Sequence, residues 1–245
     1  MFKVCMRVDL GRKGYQEVWD LQRQLVKLRQ AGTIPDVLLF VEHPPTYTLG
    51  RAGKREHLLV GEEEIDRIGA SLVLSDRGGD VTFHGDGQLV GYPIVNLAEM
   101  QPDVHVYLRR LEEVLIHTLA GFGVEAGRQP GLTGVWHREG KLAAIGVRVA
   151  RWVTSHGFAL NVSTDLDYFK RIVPCGIVGR DVASMESVLG KQTPLPDVPD
   201  VPDVADVADA LTREFGRVFE RVMLSRSMES LLRESHVEIW KAAAS

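Results

Sequence analysis

Apolar positions recur along this chain with two different periods, and the switches between them mark out the elements. Residues 3–10 alternate in the manner of a strand. Residues 15–30 then set Val18, Leu21, Leu25 and Leu28 on one helical face, with Gly32 as a stop. "DVLLFVEH" (36–43) is a short β-rich run suited to a buried strand. The following "PPTYTLGRAGKRE", with paired prolines and two glycines, reads as a long loop. "EEEIDRIG" reads as a short acidic helix and "SLVLSD" (71–76) as the next strand. In "RGGDVTFHGDGQLVGYPIVNL", glycine-rich turns interrupt β-formers. The clearest helix spans 103–122, with Val104, Tyr107, Leu108, Leu111, Leu115 and Leu119 facing inward. "LTGVWHREGKLAAIGVRVARWVTSHGFALNVS" reads as a β-meander whose turns are "HREGK" and "ARW".

Composition shifts at 192–206, where a Pro-Asp-Val repeat is poorly suited to a core and reads as a tether. Helical patterns at about 206–224 and 227–242 follow. The expected architecture is a mixed α/β body (α+β in type) over 1–190, a linker over 191–205 and a helical C-terminal appendage over 206–245.

The 245 residues can bury a sizeable core, and 44% hydrophobic with 25% charged residues is an ordinary globular balance. A net charge of −4 argues against a general nucleic-acid binder. Two cysteines make no disulfide framework, so a reducing, cytoplasmic setting is expected. Apolar runs are too short to span a membrane, and the N-terminus reads as a strand rather than a signal peptide. The sequon at Asn161 is then idle.

Several familiar signatures fail. "GDGQLVG" carries one residue too many for a dinucleotide-binding loop. "GVWHREGKL" has an extra residue before Gly-Lys and Leu142 where a P-loop needs Ser or Thr. No G-x-S-x-G elbow or H-E-x-x-H pair occurs, and no metal site or cofactor is expected.

Among the remaining candidates, Cys5 lies in a strand and reads as structural. Cys175, between Pro174 and Gly176, is either a buried loop cysteine or a nucleophile needing a base or cation to form its thiolate. Lys141 is that cation or a solvated turn lysine. His84 is a base or a local packing group, and Arg77-Gly78-Gly79 is a plain turn or one whose amides face a carbonyl or anion. Arg138, Arg148 and Arg151 either dock an acidic partner or solvate a hairpin edge.

"RGGDVTFHGDGQLVGYPI" resembles the signature of the lipoyl(octanoyl) transferase family, R-G-G-x-x-T-aromatic-H-x-x-G-Q-x-x-x-Y, through Arg77, Gly78, Gly79, Thr82, Phe83, His84, Gly87, Gln88 and Tyr92. "EHPPTYTLGR", "KLAAIGV", "HGFALNV" and "PCGI" match further family blocks in the same order, and the resemblance covers roughly 5–190. It implies the fold of biotin and lipoate protein ligases, a mixed sheet flanked by helices with the acyl chain in a tunnel. It implies Cys175 as acyl-thioester nucleophile and Lys141 as the partner lowering its pKa. Substrate contacts map to Arg77, Gly78, Gly79, Asp80, Val81, Thr82, Phe83 and His84, to Ala144-Ile145-Gly146, and to Gly157-Phe158-Ala159.

The implied partners are octanoyl-acyl-carrier protein as donor and apo lipoyl domains of 2-oxoacid dehydrogenase complexes and the glycine cleavage H protein as acceptors, with the enzyme a monomer. A thioester donor is already activated, so no ATP is needed. Oxyanion donors are sought in amides near Gly78–Gly79, amides near Cys175, or the His84 ring. The alternatives are an ATP-dependent lipoate protein ligase on the same fold, a Cys–His thioester hydrolase, and a noncatalytic carrier-binding module.

Overall fold

The computed structural model describes residues 3–173, 181–191 and 201–234. Eight strands form one mixed sheet in the order β11-β1-β2-β6-β10-β9-β8-β7. In chain order these are β1 (Lys3–Arg12), β2 (Asp36–Glu42), β6 (Gln88–Ile94), β7 (Gly127–Gln129), β8 (Leu132–His137), β9 (Gly140–Ala150), β10 (Val153–Asn161) and β11 (Arg221–Ser225). A second, three-stranded sheet consists of β4 (Ser71–Leu74), β3 (Thr46–Leu49) and β5 (Val81–His84).

Burial on both faces explains why β2 is apolar throughout. Val37, Leu39 and Val41 point to one side, where they pack with Val18 and Leu25 of α1 (Tyr15–Gln30). Leu38 and Phe40 point to the other, against α3 (Val104–Gly121) and α5 (Val204–Phe219). A strand's period of two thus serves two cores at once. Helix α3 starts where Asp103 accepts from the amides of His105 and Val106, and it buries Tyr107, Leu111, Leu115 and Leu119. Each such leucine contributes about 1.5–3 kcal/mol by leaving water. A short α2 (Glu62–Arg67) covers the small sheet through Ile65, and α4 (Met185–Leu189) opens with a reciprocal Ser184–Ser187 capping box.

Two segments depart from expectation. "TYTL" within the expected loop is β3: all four residues are buried and pair with β4 and β5, which supply the hydrogen bonds that Pro44–Pro45 deny it locally. The expected helix over 206–224 stops at Phe219, where Glu220 takes a left-handed φ of 54°, and Arg221–Ser225 continues as β11 in parallel with β1.

From 204 to 234 the expected appendage is packed into the body. Val207, Leu211, Phe215 and Phe219 share a core with α3, and Leu231 and Leu232 of α6 (Met228–Glu234) lie with Val8 and Leu39. A buried ion cluster fastens it. Asp36 accepts from Arg29 Nε and Arg221 Nε, each at 2.8 Å, and from the Asn96 amide at 3.1 Å. The Pro-Asp-Val stretch falls at 192–200 outside the described residues. No helix among those described is long and apolar enough to cross a membrane.

Candidate active site

Antiparallel pairing of β9 and β10 brings together two triplets that lie far apart in sequence. Ala144 faces Ala159, Ile145 faces Phe158, and Gly146 faces Gly157. Together they form one wall of a partly open, largely apolar cleft. The opposite wall is the glycine loop and β5, through Arg77, Gly79, Asp80, Val81, Thr82 and His84.

Glycine is required at Gly146, where the wall meets the glycine loop, and at Gly157, where β10 lies against β6. A Cβ on Gly146 would lie 2.7 Å from the Gly78 carbonyl, and one on Gly157 2.1 Å from that of Gly91. Phe83 points the other way, as strand alternation demands. It stacks on Tyr168 at 4.4 Å and meets Phe169 edge-on in the small sheet's core, so it does not line the cleft. Gly78 also stands behind the wall, its amide donating to Val147 O at 2.9 Å.

Arg77 is the clamp of this loop. Its guanidinium donates to the Thr48 carbonyl and hydroxyl, to Asp80 O and to Gly78 O, which holds the turn in shape. Asp80 in turn accepts from the Lys54 and Val81 amides and pairs with His57. The Gly79 amide makes no hydrogen bond among the described residues. Gly79 lines the cleft with φ +87°, a backbone conformation that glycine adopts without strain.

His84 is not an oxyanion donor. Gln88 donates to Phe83 O and Asn161 Oδ1, so its Oε1 is an acceptor, and His84 Nδ1 must donate to it at 2.8 Å. That leaves Nε2 with a lone pair. Burial, with nearby Arg77 and His43 adding, pushes the His84 pKa well below its usual value, so the ring is neutral.

Lys141 stands at the other end of the wall, in a smaller recess that shares Thr82, Ala144 and Ala159 with the cleft. Its side chain is 7% exposed, and Nζ lies 4.9 Å from the Trp136 ring centroid, a cation–π arrangement. Its stem runs over Gly134 (φ +122°), where a Cβ would come within 2.7 Å of Lys141 Cε. Gly134 is itself tied down, its amide donating to the buried carboxylate of Glu112. The Lys141 backbone pairs with the segment just beyond Cys175: its amide donates to Asp181 O at 2.9 Å, and its carbonyl accepts from Ala183 at 3.0 Å. Cys175 itself lies outside the described residues. Cys5 is buried in β1, its thiol pKa raised by burial, as a structural cysteine should be.

The charges of the β9 hairpin do not form one patch. Arg138 and Arg151 lie beyond opposite ends of an 11-residue strand, and Arg148 is paired with Asp76 at 3.2 Å.

Sequence reasoning left Tyr15 and His156 unassigned, and it quoted Tyr92 only as a motif position; all three line the cleft. Tyr92 donates to His43 Nε2 at 2.8 Å, while His43 Nδ1 donates to Lys13 O. Burial brings the His43 pKa down to about 4. His156 was visible in "HGFALNV", but its role depends on Asp76, 80 residues earlier, which it meets at 2.7 Å. Tyr15 carried no local signal at all.

A large mixed sheet flanked by helices in this arrangement is the fold of the lipoate protein ligases. A bipartite lipoate protein ligase of Thermoplasma acidophilum superposes with a TM-score of 0.70 over 98% of this chain and 96% of its own, at 19% identity. A lipoate-protein ligase A bound with ATP superposes at 0.69 over 96% and 94%, at 18% identity. At such identities the likeness is one of fold.

Sequence goes further. The octanoyltransferase of Solibacter usitatus (strain Ellin6076) is 50% identical over 224 residues, 91% of this chain and 96% of its own. That of Rubrobacter xylanophilus is 54% identical over 190 residues, 77% of this chain and 85% of its own. The lipoyl protein ligase A/B catalytic domain matches residues 14–216. The chain belongs to this family, on its octanoyltransferase branch, and is an acyltransferase.

Proposed function

We propose that this enzyme moves an octanoyl group from the thioester of acyl-carrier protein to a lysine of an apo lipoyl domain, through a thioester on Cys175. The Cys175 sulfur attacks the donor carbonyl, the tetrahedral oxyanion faces the Gly79 amide, and the carrier thiol departs with a proton. The acceptor lysine's amine then attacks the new thioester. The C–S bond breaks as the amide forms, and the amine's proton returns by way of Lys141 to the sulfur. Exchange of one thioester for another is near balance, while amide formation is downhill, so no nucleotide is needed. Two half-reactions let the carrier and the acceptor domain use the site in turn.

One observation carries this reading: Lys141 is buried in a recess that adjoins the cleft through Thr82, Ala144 and Ala159, while its backbone is paired with Asp181 and Ala183. On the other flank, the Val173 amide donates to His57 O at 2.8 Å, and His57 holds Asp80 of the glycine loop. Identity of about half with octanoyltransferases, against 18–19% with the ligases, favours transfer over ATP-dependent ligation.

The test is intact mass after mixing with octanoyl carrier protein. One octanoyl group should be gained, absent in Cys175→Ser and discharged by apo lipoyl domain. Nucleotide-free turnover without any adduct, or an active Cys175→Ala enzyme, overturns the covalent route. Free octanoate as main product identifies a hydrolase instead.

A further inference from the structure

Lys141 owes its direction to an irregularity of the sheet. Val135 pairs with Ala143 and Trp136 with Lys141, one step on β8 against two on β9, so Leu142 is the extra residue of a β-bulge. Leu142 and Ala143 both turn into the core beside Val135. Lys141 and Ala144, three residues apart, consequently line the same recess, where strict alternation would set them on opposite faces. The bulge thus turns the lysine out of the core and lays it against its cross-strand neighbour, Trp136.

Trp136 is 5% exposed, yet it takes no part in the core that receives Val135 and Leu142. Its buried Nε1 has no hydrogen-bond partner among the described residues. An indole N–H left in that state costs stability, and a purely apolar side chain here would avoid the cost. What the indole supplies is its ring face, over which Lys141 Nζ stands 4.9 Å from the centroid. The negative face of an aromatic ring attracts an ammonium far more than a neutral amine. The attraction is greatest for tryptophan and where water is excluded.

We propose that Trp136 is a positioning residue for the transfer, its ring face holding the Lys141 side chain as an ammonium whose charge governs how fast the enzyme takes up the acyl group. The inference rests on the covalent route proposed above and names what places the charge that a thiolate nucleophile needs. The bulge, with Gly134 beneath the stem and Glu112 behind it, fixes where the arm starts and runs. Trp136 fixes where its charge rests.

The test replaces Trp136 alone by tryptophans carrying one to four ring fluorines, which nearly preserve shape while draining electron density from the ring face. The readout is the rate of acyl-adduct formation from octanoyl carrier protein, followed by intact mass before any acceptor is added. The logarithm of the rate should fall in step with the number of fluorines, to a loss of about 30-fold for the fully fluorinated ring. Trp136→Phe, which keeps a weaker ring face, should react faster than Trp136→Leu. If Trp136→Leu fails to fold, the fluorinated series decides alone. Rates that ignore fluorination overturn the inference, since a ring that merely fills space is indifferent to its electron density. So do Phe and Leu variants that melt like the wild type and are equally slow. No adduct on the unsubstituted enzyme during proven turnover would instead overturn the covalent route, and the inference with it.

Discussion

Gly134→Ala isolates the seat of Lys141. The new Cβ would lie 2.6 Å from Ala143 O and 2.7 Å from Lys141 Cε, at a φ of +122° that alanine resists. The backbone cannot retreat, because the Gly134 amide is held by Glu112 at 3.1 Å and Ala143 is paired with Val135 and Leu160. The lysine arm must therefore move by roughly 1 Å to restore an ordinary contact, a displacement that costs on the order of 100-fold in rate when it falls on a reacting group. That corresponds to about 2.7 kcal/mol of transition-state stabilisation. The strained φ adds about 1–3 kcal/mol of lost stability, roughly 4–8 °C in Tm for a 2 kcal/mol loss in a chain of this size.

The assay is kcat/KM for octanoyl transfer beside a thermal melt. Gly121→Ala serves as the control, since its Cβ would meet nothing within 4 Å. A Gly134→Ala enzyme with activity within three-fold of wild type would refute the claim that this glycine positions Lys141.

Asp36→Asn should destabilise the fold by about 3–5 kcal/mol, seen as a lower urea midpoint, because it leaves Arg29 and Arg221 facing a neutral amide in a buried site. Stability should also fall on acidification. His43 is neutral in the fold down to about pH 4, whereas an unfolded histidine takes a proton near 6.5, so its contribution is complete above 6.5 and is lost between there and about 4. It amounts to roughly 3 kcal/mol. Urea melts at pH 7 and 4.5 should show this loss, and His43→Gln should flatten it. Gly146→Ala drives a methyl to within 2.7 Å of Gly78 O, pushing the glycine loop off β9; acyl-adduct formation should slow at least ten-fold while the far-UV spectrum stays native.

Much of this molecule is legible one segment at a time. The period of 3.6 located α1 and α3 with their buried faces, a short β-rich apolar run located β2, and β-formers between turn residues located the β8–β10 meander, because each pattern reflects the burial of neighbours in the chain. The glycine signature and the two small-residue triplets were likewise readable as blocks. Their meeting as register partners and as facing walls of one cleft was not, since that follows from pairing across the sheet. Long-range partners also explain the misreadings. β3 and β11 lack a decisive local pattern and become strands because β4, β5 and β1 offer hydrogen bonds to them. Phe83 sits in a signature of site residues yet faces a different core, because alternate side chains of β5 leave the strand on opposite sides.

The sequence by itself determined most of the element types, β3 and β11 excepted, the family and the residues able to do acyl chemistry. Only the tertiary structure decided which of them share a space: Trp136 and Gly134 around the Lys141 arm, Glu112 behind them, and Asp76 fixing the proton of His156. The physical reason is that local periodicity records which side of an element is dry, whereas contacts between charges and lone pairs depend on chain crossings that no short window contains.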